Sequence, residues 1–350
     1  MYSIKIGSDY KIEIPSTFHG YKIMKDIGKG SFSSVVLVQE KRTSKYYAAK
    51  IIPKKLMESR YSIGMIFNEI EILQKIKHQN IIKFHETFDI KEFTIIITEY
   101  YSRGNLLNYL LNIGFNENEK KKIAIGIIES IKYLHDNRIA HCDIKLENIL
   151  LDDDLTPKLC DFNLSRFIDL NQEENTKICS SVYSSPEFFK SQNIDLCKSD
   201  IWSLGLVLFA LYEKRFPYKD IDDAVYDKEN LYIQTSNKYL EIVVKKCNQI
   251  DPLKRPNIND LLNEKLFTKS NNIFDYSFHN LHLMRQYMDP LEIDIILNEM
   301  NSNLYAYSRY EPIYSTEFET NYEYDEYEYQ FKDEILKNKY KKQKKKNQKK

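Results

Sequence analysis

Residues 141–163 read HCDIKLENILLDDDLTPKLCDFN. Two apolar runs in this stretch flank an acidic turn, which predicts a short hairpin. Four polar side chains of chemically useful types stand at or near its two ends, at Asp143, Lys145, Asn148 and Asp161. The presence of these polar side chains beside apolar runs raises the question of what they do, which the stretch alone does not answer.

Size and charge favour a globular protein without a charge-driven partner. The chain has 350 residues, enough for one large or two ordinary domains, and its 51 Lys and Arg balance 51 Asp and Glu. Overall charge therefore gives no reason to expect a binder of nucleic acids or acidic substrates. The five cysteines form no CxxC pair and are typical of reduced thiols, at positions 142, 160, 179, 197 and 247.

No pattern of export or membrane insertion is evident. The N-terminal residues MYSIKIGSDYKIEI alternate apolar and polar side chains and contain no continuous apolar signal core. The longest apolar run, IWSLGLVLFALY at 201–212, is shorter than the roughly 20 residues that span a bilayer. We expect no membrane span and a location in the cytoplasm, the nucleus or both.

The order of the patterns predicts a fold of the α+β class with two lobes. Residues 21–52 contain three predicted strands, and two more follow before position 100. After Gly104, apolar residues recur at intervals of three and four to about Phe267, which predicts helices. We therefore expect a strand-rich lobe at 21–98, a linker at 99–104 and a helical lobe at 105–267.

Two features of the first lobe are ambiguous by themselves. The stretch GKGSFSSV at 28–35 could approach phosphate groups through its backbone N–H groups, or could be an ordinary glycine hairpin. Lys50 ends an otherwise apolar strand, where it could pair with Glu69 of the following helix or extend to solvent. Neither feature identifies a function alone.

In combination with the stretch at 141–163, these features resemble the signature motifs of eukaryotic protein kinases. The resemblance covers about 21–267, nearly all of the predicted globular part. It implies the bilobal protein-kinase fold. The matching segments, in chain order, are GKGSFSSV at 28–35, YAAK at 47–50, NEIEIL at 68–73, HCDIKLEN at 141–148, DFN at 161–163, SPE at 185–187, DIWSLG at 200–205 and DPLKRP at 251–256.

The resemblance implies a role in phosphoryl transfer for each catalytic side chain. Asp143 is expected to accept the proton of a substrate hydroxyl, and Lys145 to steady the transferred phosphate. Asn148 and Asp161 are expected to hold Mg²⁺, and Lys50 to contact ATP phosphates while paired with Glu69. The glycine loop expected over the phosphates comprises Ile27, Gly28, Lys29, Gly30, Ser31, Phe32 and Ser33.

The resemblance also implies an adenine pocket between the lobes, with Thr98 at its back. For Thr98 alone, a plain buried strand threonine is an equally open interpretation. Further residues expected around the base are Val35, Ala48, Leu150 and the backbone of Glu99 and Tyr101. Structural roles are implied for an ion pair of Glu187 with Arg255, for Asp200 as an anchor of the catalytic loop, and for a column of Leu73, Phe84, His141 and Phe162 that joins the lobes.

The motifs are most similar to those of serine/threonine kinases. Lys145 stands two residues after Asp143, and Ser180 occupies the position where such kinases carry a hydroxyl residue. The runs at 146–162 and 198–218 resemble the calmodulin-dependent and AMP-activated-kinase-related group. The expected partners are ATP, Mg²⁺ and protein substrates, and the resemblance leaves room for an upstream kinase that acts at Thr176.

Three positions depart from the family pattern. Ser33 replaces the third loop glycine, Asn163 replaces the glycine of the DFG motif, and Cys142 replaces the arginine before the catalytic aspartate. Asparagine tolerates left-handed backbone better than most residues, so the turn at Asn163 can still form. With Cys142, a phosphate at Thr176 would lack its usual basic partner, and Thr176 could equally be an ordinary loop threonine.

Two segments lie outside the predicted kinase domain. One is an extension at 1–20, and the other is a tail at 268–350 that we expect to be mostly disordered. Residues 317–334 hold eight acidic side chains among aromatic residues, whereas 337–350 hold nine lysines. The lysine run could direct nuclear entry, contact acidic surfaces including nucleic acid, or only aid solubility. A pseudokinase scaffold that binds nucleotide and partners without efficient phosphotransfer is the alternative to an active kinase.

Overall fold

The first lobe is built on a six-stranded antiparallel sheet in the order β3-β4-β5-β6-β8-β7. The computed structural model describes residues 1–6, 10–30, 33–57, 60–168, 177–179, 182–190, 194–219, 231–268 and 313–315. The strands of this lobe are β1 (Tyr2–Ile6), β2 (Tyr10–Ile14), β3 (Thr17–Phe18), β4 (Tyr21–Lys29), β5 (Ser34–Glu40), β6 (Tyr46–Pro53), β7 (Phe84–Ile90) and β8 (Phe93–Glu99).

The two faces of the sheet bury different sets of residues. Val35 pairs with Lys50, and Ala48 pairs with Thr98, so these four side chains share one face by the two-residue period of a strand. Ile52 and Ile96 lie on the same face and join the main core. The opposite face forms a second apolar cluster with Val36, Val38, Ala49, Ile51, Ile95 and Ile97.

A hairpin of β1 and β2 covers this second cluster. Tyr2 pairs with Ile14 and Ile6 with Tyr10, and the alternation places Ile4, Ile6 and Ile14 toward the sheet with at most 1% of each side chain exposed. The Tyr2 hydroxyl also donates a hydrogen bond to Asp26 Oδ1 at 3.0 Å. The predicted extension at 1–20 is thus folded onto the lobe, and the sequence alternation in this segment was its signal.

The second lobe consists mainly of helices around the larger core. The long helix α5 is almost entirely buried along one unbroken run, Ser199–Leu211, which explains its lack of a polar face. Asn116 and Glu119 form a reciprocal capping box at the start of α3. The α-helices among the described residues are α1 (Arg60–Lys75), α2 (Leu106–Asn112), α3 (Glu117–Asp136), α4 (Glu187–Lys190), α5 (Leu196–Glu213), α6 (Lys238–Cys247), α7 (Ile258–Leu261) and α8 (Lys265–Thr268).

Short strand pairs shape the segments between these helices. The predicted hairpin is present, because β10 (Ile149–Leu151) pairs antiparallel with β11 (Pro157–Leu159). Strand β9 (Ile139–Ala140) pairs with β12 (Arg166–Phe167). Strands β13 (Lys177–Cys179) and β14 (Ile313–Ser315) form a further two-stranded sheet.

Several sequence-based predictions fall outside the described residues. These are the loop positions Ser31 and Phe32, the activation-loop positions Thr176 and Ser180, and the tail beyond Thr268 apart from 313–315. Among the helices that the structure describes, none combines the length and the apolar character required to cross a bilayer.

Gly205 generates a prediction about packing. A Cβ atom at Gly205 in α5 would lie 2.3 Å from Asn248 Oδ1 and 2.7 Å from Cys247 Cβ. We expect Gly205→Ala to lower the free energy of unfolding by about 1–3 kcal/mol through overpacking. Gly64 in α1 is the matched control, because a Cβ atom added there would meet nothing within 4 Å. Gly64→Ala should raise stability by about 0.5–1 kcal/mol, and urea titration of both variants measures the contrast.

Candidate active site

The centre of the site is the ammonium group of Lys50, which three elements bring together with two carboxylates. Strand β6 carries Lys50, helix α1 carries Glu69, and the segment after β11 carries Asp161. Lys50 Nζ lies 2.7 Å and 2.9 Å from the two Glu69 carboxylate oxygens, and 2.9 Å from Asp161 Oδ1. The predicted pairing of Lys50 with Glu69 is therefore present.

Burial and charge act in opposite directions on these three groups. Burial alone lowers the pKa of Lys50, but the charges of Asp161 and Glu69 outweigh it and raise that pKa above its usual value. Burial raises the pKa of Glu69 against the opposing charge of Lys50. For Asp161, burial would raise the pKa, whereas the charge and hydrogen bond of Lys50 lower it overall. Lys50 is therefore charged and neutralises ionised Asp161, a combination that suits phosphate binding.

A second set of polar groups precedes β10, at the same open end of the hairpin as Asp161, because Ile149 pairs with Leu159. Asp143 Oδ2 accepts a hydrogen bond from Asn148 Nδ2 at 2.7 Å and lies 2.8 Å from Lys145 Nζ. Burial lowers the pKa of Lys145, and the charge of Asp143 more than compensates, so the net shift is upward. Asp143 is thus held in one orientation by an amide and an ammonium group.

Asp200 of α5 anchors the loop that carries Asp143. It accepts hydrogen bonds from the backbone N–H groups of His141 at 2.8 Å and Cys142 at 2.9 Å, and it lies 2.9 Å from His135 Nε2. Cys142 has a φ of +63°, which is a left-handed conformation that needs such support. The predicted anchoring role of Asp200 is confirmed.

His141 is a neutral member of this network. Its Nε2 donates to the Cys160 carbonyl at 3.1 Å, while its Nδ1 accepts from the Asp143 backbone N–H at 3.3 Å. Burial lowers the pKa of His141 despite the nearby charge of Asp200, in agreement with that tautomer. The ring meets Phe162 edge-on at 5.0 Å, within the predicted column that also includes buried Leu73.

The residues predicted around an adenine base lie on the inner face of the sheet and the facing hairpin. Ala48 and Thr98 are buried and paired across β6 and β8, and Val35 lies on the same face. From the helical lobe, Leu150 of β10 forms an isolated bridge with Asn105. Between them, the linker is held by Glu99, whose carboxylate accepts hydrogen bonds from Lys83 at 2.8 Å and from Tyr101 at 3.1 Å.

The described residues of the glycine stretch belong to, or directly flank, the paired strands β4 and β5. Gly28 pairs with Val35 and Lys29 with Ser34, and Gly30 N–H donates to the Ser33 carbonyl at 2.8 Å. A Cβ at Gly30 would lie 3.0 Å from Ser33 Oγ, so the serine occupies space beside the glycine. Ile27 precedes this turn on β4 and is 37% exposed.

Asn148 and Asp161 offer oxygen atoms of the type that Mg²⁺ prefers. Because Asn148 Nδ2 donates to Asp143, its Oδ1 is the atom left to face a cation. Within the part of the chain that the structure describes, no three His, Cys, Asp or Glu side chains gather into a metal site. The amide oxygen of Asn148 and the carboxylate of Asp161 are donor types that fit a magnesium ion.

Asn163 does not adopt the left-handed backbone conformation that asparagine tolerates. The positive φ of this segment belongs to Asp161, at +64°, and Asn163 is not among the residues with positive φ. The turn forms with Asn163 in ordinary backbone geometry, so the missing glycine is not required for it. The side-chain Oδ1 of Asn163 is buried and has no hydrogen-bond partner in the structure.

A buried ion pair secures the segment that follows the activation loop. Arg255 donates to both oxygens of Glu187, at 2.6 Å and 2.7 Å, and its guanidinium stacks over Trp202 at 5.0 Å. The Arg255 side chain is fully buried. This confirms the predicted pairing.

Further polar residues that no sequence motif marks as functional support the site. Asn68 donates through its amide to the Ser165 carbonyl, and Tyr183 donates to Glu147 Oε2 at 3.1 Å. The Ser165 hydroxyl in turn donates to the His141 carbonyl at 3.0 Å. Asn68 and Ser165 lie next to or close to motif residues but carry no spacing signal, so only the tertiary contacts reveal them.

A strand lysine paired with a helix glutamate, a glycine turn and an aspartate–lysine–asparagine loop define a phosphotransferase of the kinase class. The family model for the protein kinase domain matches residues 21–267, and the chain belongs to this family.

Known relatives agree with this class. Over 199 residues the chain is 33% identical to serine/threonine-protein kinase SIK1 of Rattus norvegicus, a match that covers 57% of this chain and 26% of that protein. The corresponding protein of Mus musculus is 32% identical, with 57% and 25% covered. The match thus spans about a quarter of these relatives' length. The resemblance to serine/threonine protein kinases, inferred from the motifs, is confirmed.

The Glu187–Arg255 pair generates a stability prediction. Arg255→Met leaves Glu187 charged and buried, and we expect a loss of about 3–5 kcal/mol in the free energy of unfolding. The control is Lys245→Met on α6, which removes an exposed pair with Glu241. That change should cost at most about 0.5 kcal/mol. Chemical denaturation measures both values, and equal losses would show that the buried pair has no special weight.

Proposed function

We propose that this protein is an ATP-dependent serine/threonine kinase that transfers the γ-phosphate of ATP to hydroxyl groups of protein substrates. The observation that carries the proposal is the position of Lys50, bound at once by Glu69 and Asp161. This arrangement requires α1 and the segment at Asp161 to stand in the geometry that phosphoryl transfer needs.

Each side chain has a defined task in the proposed mechanism. Lys50 binds and orients the α- and β-phosphates, and its own position is set by Glu69. Asp143 accepts the proton of the substrate hydroxyl. Its contacts with Asn148 and Lys145 support the orientation of the carboxylate that this role needs. Lys145 then places positive charge beside the transferred phosphate.

Asn148 and Asp161 are the residues that would hold Mg²⁺. The ion supplies charge neutralisation of the phosphate oxygens when bound. On the protein side, Asp161 is oriented by its contact with Lys50 and Asn148 by its contact with Asp143. The two ligands therefore stand at the same open end of one hairpin, where Ile149 pairs with Leu159, and each is tied to a catalytic side chain.

The alternative is a pseudokinase scaffold that binds nucleotide without efficient transfer. The departures at Ser33 and Asn163 favour it, since both replace glycines of the phosphate and metal segments. Neither removes a charged group, and the polar contacts of Lys50, Asp143 and Asn148 support catalysis instead.

The cysteine pattern supports the cytoplasm or the nucleus as the location.

Replacement of Asp143 separates binding from chemistry. Asp143→Asn retains the shape of the side chain and most polar contacts, so we expect folding and ATP affinity to stay nearly unchanged. Phosphate transfer should fall by roughly 10²–10⁴-fold, because the asparagine cannot accept the hydroxyl proton. Radiolabelled phosphate transfer to serine, threonine and tyrosine peptides, alongside nucleotide titration, measures both effects.

The matched control is Asp136→Asn, which alters an exposed pair with Lys132 at the end of α3. It should leave transfer and binding unchanged. Full transfer by Asp143→Asn would contradict the proposed mechanism. Nucleotide binding by the unaltered protein without any transfer would support the scaffold instead.

Cys142 generates a prediction about phosphorylation at Thr176, which lies outside the described residues. A cysteine offers no bidentate donor for a phosphate, so a phosphate at Thr176 should stabilise the active state little. We expect Thr176→Ala to keep most of the basal activity, and Cys142→Arg to make activity depend more strongly on Thr176. A loss of a hundredfold or more in Thr176→Ala alone, roughly 2.7 kcal/mol, would show that another basic group reads the phosphate.

A further inference from the structure

Helix α1 is connected to the activation loop, the segment between the DFN and SPE motifs, by a contact beside the central ion pair. Asn68 immediately precedes Glu69 in α1, and its amide Nδ2 donates to the carbonyl of Ser165. Ser165 stands four residues after Asp161. The hydrogen bond thus joins the chain segments that carry the two carboxylate partners of Lys50.

Ser165 extends this connection into the catalytic loop. Its side chain is fully buried, and its hydroxyl donates to the His141 carbonyl at 3.0 Å. The His141 backbone N–H donates in turn to Asp200 at 2.8 Å. The Ser165 carbonyl also accepts from Arg166 Nη1 at 2.9 Å, so two donors hold it in place. A continuous path of hydrogen bonds therefore runs from α1 to α5.

This path matters because α1 must remain close to the sheet for Glu69 to reach Lys50. A phosphate on the activation loop stabilises such an arrangement only where a cationic group is placed to bind it. The residue before Asp143 is Cys142, which has no cationic group. The hydrogen bonds of Asn68 and Ser165 need no phosphate, and in this partly buried network they reinforce one another.

We propose that Asn68 and Ser165 are positioning residues that hold α1 inward, with Glu69 against Lys50, independently of phosphorylation. The proposal rests on the proposed kinase function for its kinetic consequences, whereas its structural consequence does not. Neither residue touches substrate or nucleotide in this scheme. Both act through the Lys50–Glu69 pair and the catalytic loop.

The test compares two substitutions of Asn68 in phosphatase-treated full-length protein. Asn68→Leu preserves the approximate size of the side chain and removes the donor, whereas Asn68→Gln preserves the donor. We expect Asn68→Leu to accelerate hydrogen–deuterium exchange in peptides from 60–75 and to lower kcat roughly 3–10-fold, the range that one lost hydrogen bond gives. The KM for the peptide substrate should not change, and Asn68→Gln should restore at least half of kcat.

The matched control is Asn112→Ala in α2. Asn112 Nδ2 donates to the Asn108 carbonyl at 2.8 Å, so the same type of bond is lost at an exposed position remote from the ion pair. Exchange in 60–75 and kcat should both match the unaltered protein. Ser165→Ala is expected to act in the same direction as Asn68→Leu, and the Asn68 pair decides the question if that variant fails to fold.

Three outcomes would overturn the proposal. The first is unchanged exchange in 60–75 for Asn68→Leu, and the second is a glutamine variant as impaired as the leucine variant. The third is a rise in exchange on phosphatase treatment of the unaltered protein that equals the effect of Asn68→Leu. If the unaltered protein transfers no phosphate, the proposed function fails, and the exchange data still decide whether Asn68 holds α1.

Discussion

The structure depends most on the burial of one ammonium group. Lys50 Nζ is largely removed from solvent on the inner face of the sheet, where its charge is costly unless carboxylates surround it. Glu69 comes from α1 and Asp161 from the segment after β11, 111 positions from Lys50 in sequence. Because neither lobe contains all three groups, a stable site requires the lobes and α1 to adopt one mutual arrangement. The same electrostatic contacts therefore hold the lobes in this arrangement and place the charged groups of the candidate site.

Below this centre, the helical lobe holds irregular loops in place with buried polar groups. Asp200 accepts hydrogen bonds from two backbone N–H groups of the catalytic loop and lies beside His135. These hydrogen bonds replace the regular backbone pairing that the loop lacks. Arg255 serves the segment at Glu187 in a similar way, with its guanidinium also over Trp202. Burial of such charged groups costs free energy, and loss of one partner is strongly destabilising. Buried ion pairs and hydrogen bonds of this kind therefore suit loops whose geometry must be fixed.

The departures from the kinase pattern have unequal consequences. Ser33 lies beside Gly30, and Asn163 has ordinary backbone geometry, whereas the left-handed residue of that segment is Asp161. Cys142 preserves its backbone bond to Asp200 but brings no positive charge to the activation loop. The contacts among Asn68, Ser165 and Arg166 supply local bonds in that region. The charged residues expected to act in phosphoryl transfer are thus all present in the sequence, whereas the arginine before Asp143 is replaced by Cys142.

The sequence by itself determined the family, the two-lobe order and the charged residues of the site, because motifs such as HCDIKLEN and strand alternation act over short distances. The alternation of apolar and polar residues in 2–14 also fits the β1–β2 hairpin, although no local feature indicated which surface its isoleucines would cover. Tertiary structure alone decided that surface, the bond from Asn68 to Ser165 and the conformation at Asn163. These features depend on which distant segments meet, and a hydrogen bond to a backbone carbonyl leaves no residue pattern at the accepting position, since every residue carries that group.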